Sequence, residues 1–179
     1  ELEIMANGVD ALKEWTTKTH ATIIYDSKKH PFTHDGFFEK VRGKPNIAVV
    51  GFTTDGDVFG GFYSVAVTVL DQGVLDPNIF AFSFESRGRC KTPQRFVVRD
   101  ELKDQASVYF YENDSNGFVG FGVSGYCGFY LGNERSNSYC NNMSGGFEGL
   151  QNTTLTGKNG TYEKGPYHHC SRLVAIQLS

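Results

Sequence analysis

The eight residues DVFGGFYS, Asp57 to Ser64, put two glycines at the centre of a run that otherwise has the composition of a buried β-strand. Glycine in a strand interior loses packing and costs conformational entropy. A strand that keeps two of them bends there, or something presses close against its backbone. The surrounding residues favour close packing. In VFGGFYSVAV, Val58 and Phe62 share one parity, and Phe59, Tyr63, Val65 and Val67 share the other. Side chains alternate between faces along a strand, so a strand apolar on both parities lies between two layers. Gly60 and Gly61 are therefore expected to make room for a neighbouring layer or a sharp bend, and not to form a ligand site.

The rest of the chain extends this β pattern. ATIIY, NIAVVGF, IFAFSF, RFVV, SVYFY, FVGFGV, GFYL, NSYC and RLVAIQL are all short, strand-like runs. Phe80, Phe82 and Phe84 give the cleanest alternation, and Asp55-Gly56 and Asn116-Gly117 mark turns. Two short helices are expected. One runs from an Asp10 N-cap to Thr16 with Leu12 and Trp15 inward, and the other is capped by Thr33 and ends at Val41 before Gly43 and Pro45. No strand–helix alternation occurs, so the pattern predicts a mainly β fold. It is a β-sandwich of two antiparallel sheets with a few short flanking helices. The polar stretch Asn152–Lys164 is expected to be a surface excursion.

At 179 residues the chain suits one domain with a sizeable core. A formal charge of −3 and scattered lysines and arginines supply no basic face for a nucleic-acid backbone. No apolar run is long enough to span a bilayer, so no transmembrane segment is expected. Glu1–Asp10 lacks the basic start and apolar middle of a secretory leader. The chain starts at Glu1 and not at a methionine, which fits either a piece of something longer or a natural start at Met5. Cys90, Cys127, Cys140 and Cys170 form no paired spacing and are expected as free thiols in a reducing compartment. The sequons at Asn113, Asn142, Asn152 and Asn159 carry meaning only in a secreted protein.

No motif specifies a chemistry. GFGVSG, Gly120–Gly125, fits a dinucleotide fingerprint, but that loop must open a helix, and Tyr126 to Tyr130 continue as strand. Glu112, Asp114 and Asn116 imitate the start of a calcium loop, yet Val123 stands where the bidentate glutamate belongs. They are weak metal candidates, and an Asn-Gly turn explains the same letters. His168-His169-Cys170 would alternate across a strand and not converge on a metal. No catalytic set and no cofactor is assigned. An enzyme or small-ligand binder with an unrecognised cleft remains the alternative, and a secreted sugar-binding sandwich a third reading.

TTDGDVFGGFYSVAV followed by DPNIFAFSF resembles the TLDc domain family. The shared residues are Asp57, Phe59, Gly60, Gly61, Phe62, Asp76, Pro77, Phe80 and Phe82. IIYDSKKHPFTHDGFFEKVRGKPNIAVVGF upstream and GFVGFGVSGYCGFYLGNERSNSYCNNM downstream resemble other segments of that family in order, and SRLVAIQL takes the place of its closing strand. Two departures stand out. Tyr139-Cys140-Asn141-Asn142 replaces a Cys-x-Thr-Phe-x-Asn run, and Val174, Ala175 and Ile176 replace an acidic residue and a tryptophan. The resemblance implies a sandwich with flanking helices, in an intracellular, cytoplasmic domain associated with oxidative-stress resistance. Residues 15–179 would form that domain, and 1–14 an N-terminal extension or the start of a flanking helix. Several relatives bind the vacuolar proton-pumping ATPase, and others sit beside membrane-traffic domains, so a protein partner is expected. The family has no established catalytic residues, so none is carried over.

Overall fold

The computed structural model describes residues 1–125 and 127–179. The elements, in chain order, are α1 (Leu2–Thr16), β1 (Ala21–Asp26), α2 (His34–Val41), β2 (Ile47–Thr53), β3 (Val58–Tyr63), β4 (Gly73–Leu75), β5 (Phe80–Glu85) and β6 (Gln94–Val97). A 3-10 turn (Asp100–Gln105) leads to β7 (Ala106–Phe110), β8 (Val119–Val123), β9 (Cys127–Leu131), β10 (Cys140–Asn141), α3 (Met143–Gly146) and β11 (Cys170–Leu178). The strands form two antiparallel sheets, ordered β1-β11-β2-β3-β5-β6 and β10-β9-β8-β7-β4. The expected sandwich is present.

Helix α1 adds a third layer. It covers the outer face of the six-stranded sheet, where Leu12 joins Val50, Phe62, Phe82 and Val174 in an outer core. The inner core lies between the sheets, around Phe59, Tyr63, Phe121 and Phe129. Every residue of β2 and β3 is buried because both faces are covered. The two glycines serve one face each. A Cβ on Gly61 would stand 2.7 Å from the Phe121 ring of the opposite sheet. A Cβ on Gly60 would meet the Val49 carbonyl and the Phe82 ring. Close approach of rings from both sides, not a ligand, explains the pair.

Several boundaries differ from the sequence reading. Helix α1 starts at Leu2 and not after an Asp10 cap. The apolar spacing Ile4, Met5, Leu12, Trp15 extends through Gly8, whose helix-propensity cost of about 1 kcal/mol is offset where the Phe84 ring fills the gap. The β3 strand ends at Tyr63 and not at Val67, because the Ser64 N–H donates to the Asp76 carboxylate at 2.6 Å instead of a strand neighbour. Of NSYC only Cys140 enters a strand, the two-residue β10 (Cys140–Asn141), and the three-residue β4 edge strand and α3 had no clear pattern. The Asn152–Lys164 stretch is not wholly on the surface: Leu155 and Thr156 are buried. Helix α2 matches its expectation, with the Thr33 hydroxyl accepting from the Gly36 N–H and Phe37, Phe38 and Val41 buried.

Candidate functional site

Asp57 and Asp76, two of the residues that carry the resemblance, lie near opposite ends of β3. At the start of β3, Asp57 follows the Asp55-Gly56 turn, and its carboxylate is only 1 % exposed. Arg87 donates to it through Nε and Nη2, both at 3.1 Å. Arg89 donates through Nη2, and the same guanidinium reaches the carbonyls of Thr154 at 2.9 Å and Leu155 at 3.2 Å. Thr53 closes the turn, accepting from the Asp57 N–H at 2.9 Å. This carboxylate binds the β2–β3 hairpin, the segment after β5 and the long loop before β11 into one unit. Both of its oxygens accept hydrogen bonds.

Beyond the end of β3, Asp76 is equally buried and has no cationic partner among the described residues. It accepts from the N–H and hydroxyl of Ser64 at 2.6 and 2.8 Å and from the Asn78 N–H at 3.0 Å. That bracket holds Pro77 and Asn78 at the lip of a groove of about 310 Å³ on the outer face of the six-stranded sheet, where α1 ends. Phe62 and Phe80 form its floor, with ring centroids 4.9 Å apart, and Trp15 stands edge-on to Phe80 at 5.9 Å. The Arg95 guanidinium lies 5.5 Å above the Phe80 ring and donates to the Trp15 carbonyl at 3.0 Å. Lys18 and Lys103 complete the rim, and no described lining residue is acidic.

A second concavity, about 210 Å³, crosses the outer face of the five-stranded sheet. Tyr109, Gly120 and Tyr130 align across β7, β8 and β9, with Gly122 and Gly128 in the next row. Tyr111 lies 4.6 Å from Tyr109, and Tyr139 lies 4.7 Å from Tyr130. Burial pushes the phenol pKa values of Tyr111 and Tyr139 upward, so both stay neutral. The described lining carries no charge. Sequence reading singled out neither concavity. The alternation of SVYFY places Tyr109 and Tyr111 opposite Val108 and Phe110 and was a usable signal. No local pattern brings Trp15, Phe62 and Arg95 together.

The other candidates resolve into structure. Ser124 and Gly125, both with positive φ, carry β8 toward β9, so GFGVSG opens no helix; Tyr126 lies outside the described residues. Glu112 and Asp114 do share a surface hollow with His34 and Asp35. Asp114, however, accepts from the His34 N–H at 2.9 Å and from the Asn133 amide at 3.4 Å. Asn116 does not line that hollow, and its backbone carbonyl accepts from the Ser138 hydroxyl at 2.6 Å. Among the described residues no three His, Cys, Asp or Glu side chains are grouped to hold a metal ion. His168 is buried with Nε2 2.7 Å from the Tyr130 carbonyl, and burial pushes its pKa down to about 4. All four cysteines are free. Burial pushes the Cys127 thiol up to about 11 and those of Cys140 and Cys170 to about 12, which suppresses thiolate chemistry. No helix among the described residues is long and apolar enough to cross a membrane.

The model of the TLDc domain family matches residues 5–163. A search of curated proteins gives no match.

Proposed function

Because the chain belongs to the TLDc domain family, we propose that it is a non-catalytic protein-interaction domain. It acts in oxidative-stress resistance by binding and regulating the vacuolar proton-pumping ATPase or a component of membrane traffic. Its functional unit is residues 15–179, with 1–14 as an N-terminal extension or the start of the flanking helix. The observation that carries this reading is how the reactive groups are used. Asp57 is held by two arginines, His168 is buried and bound to a carbonyl, and three of the four thiols are buried with raised pKa values. What faces outward is aromatic surface with a cationic or neutral rim, which suits recognition. The free cysteines agree with a reducing, intracellular and cytoplasmic setting. The uncharged tyrosine-lined concavity favours one second reading, a binder of a small neutral ligand.

The test is affinity capture from lysate of the native cell with the folded chain as bait and a heat-unfolded control. Proton-pump subunits recovered by the folded bait alone are the expected result. Failure to recover any partner specific to the folded bait, together with a reproducible thermal shift on adding a neutral sugar, would transfer the function to the second reading.

A further inference from the structure

We propose that the groove at the end of α1 receives an acidic segment of a partner protein, anchored by one aromatic side chain. The proposal rests on the interaction-domain reading and names the chemistry of the contact.

Charge selects the occupant. The chain has 20 acidic residues against 17 lysines and arginines, yet the described lining of this groove contains three cations and no carboxylate. Lys103 is paired with Asp100 at 3.1 Å, and Asp100 does not line the groove. Lys18 and Arg95 have no carboxylate partner among the described residues. Arg95 is held in place by Phe80 beneath it and by its bond to the Trp15 carbonyl. A guanidinium fixed in this way loses little entropy on binding a carboxylate, and its planar face can stack against a ring. Trp15, half-buried, and Arg95, exposed, are the residue types that dominate interface energetics. A hollow of about 310 Å³ lies at the lower end of ligand-pocket sizes, which suits one anchoring side chain and not a large cofactor. The second concavity has no charge on its described lining, so of these two concavities only this groove favours an acidic occupant.

Cations beside a helix C-terminus also complement the helix dipole, so binding and stability must be read separately. Fluorescence anisotropy on the 179-residue chain would use a fluorescein-labelled Asp-Glu-Phe-Asp-Glu peptide. The controls are Asp-Glu-Ala-Asp-Glu and Lys-Lys-Phe-Lys-Lys. Saturable binding of the first peptide is expected, weakened roughly tenfold by loss of its ring and weakened further by added salt. Lys18→Glu with Arg95→Glu should lower affinity by at least about tenfold, and Lys18→Glu alone by less. Lys164→Glu, outside the groove, should leave affinity unchanged. Thermal unfolding of each variant separates a folding defect from a binding defect.

Equal binding of all three peptides, no saturable binding, or full affinity in the double variant would overturn the proposal. Lysate capture by the double variant distinguishes the two levels. If it still retains the partner of the unaltered chain while the acidic peptide fails to bind, the interaction-domain reading stands and this groove is not its contact. If the unaltered chain captures nothing, the broader reading fails.

Discussion

At one end of β3 a buried aspartate is held by two arginines, and beyond the other end an equally buried aspartate is held by a serine and a backbone N–H. Asp57 reaches partners 30 and 32 residues away, and Arg89 extends the link by a further 65. Asp76 reaches 12 residues back and two forward. The charged clamp therefore ties together segments that meet only in the folded state. The neutral one shapes a single connection. Both remove a carboxylate from water, and each removal is offset in a different way: by opposite charge, or by donors aimed at the oxygens.

The largest effect should come from stripping the charged clamp of its cations. The Asp57 carboxylate is 1 % exposed, whereas Arg87 and Arg89 are 45 % and 24 % exposed. The double replacement Arg87→Ala with Arg89→Ala leaves a buried anion unpaired and should cost about 3–5 kcal/mol. Asp57→Asn leaves only cations that can turn to water and should cost less. Urea midpoints of the two variants test this asymmetry. The opposite ranking would mean that the arginines, and not the carboxylate, bear the desolvation.

Acid should also act near the charged end, through His168. His168 packs edge-on to Phe59 at 5.1 Å, one strand position beyond the two residues that follow the Asp55-Gly56 turn. Burial holds its pKa at about 4 against an unfolded value near 6.5, so the unfolded chain binds the extra proton between those values. Stability should be full above about pH 6.5 and fall as pH drops toward 4, by on the order of 3 kcal/mol. His168→Gln keeps a donor for the Tyr130 carbonyl and should remove that slope. Unfolding curves across this pH range for both proteins supply the check, and identical slopes would exclude His168 as the cause.

The contrast between the clamps was not legible in the sequence. Asp57 and Asp76 both stand at turns, where a carboxylate is ordinary. Nothing local to either marks Arg87, Arg89 or Ser64 as its partner. The strands were legible because alternation is a local signal, as in Phe80, Phe82 and Phe84. The start of α1 was hidden because Gly8 breaks the local propensity, and its compensation is a ring 76 residues away in sequence. The groove is similar: Trp15, Phe62 and Arg95 come from three elements that only the sheet order brings together. The glycine pair was readable as a demand for space, though not which rings fill it. Gly61→Val would drive a branched side chain into Phe121 and should cost about 1–3 kcal/mol by overpacking. An unchanged melting temperature would refute the packing account and with it the view of β3 as a rigid bar between the clamps.

The smallest expected effect belongs to the neutral clamp, and it is the most selective. Ser64→Ala removes the hydroxyl that donates to Asp76 at 2.8 Å but keeps the backbone N–H at 2.6 Å. One hydrogen bond to a charged group is lost, worth about 1.5–3 kcal/mol. Ser64 is only partly buried and Asp76 keeps two donors, so the lower end applies. The change should be confined to the connection between β3 and β5 and to the lip of the groove, because among the described residues no other segment touches this carboxylate through a hydrogen bond. Amide hydrogen exchange separates that outcome from a general loosening. Faster exchange at Ser64, Asn78 and Ile79, with Thr53, Asp57 and the long loop unaffected, is the expected pattern. Exchange that quickens equally at both ends of β3 would mean that the two clamps report on one cooperative unit and that their difference is chemical but not mechanical.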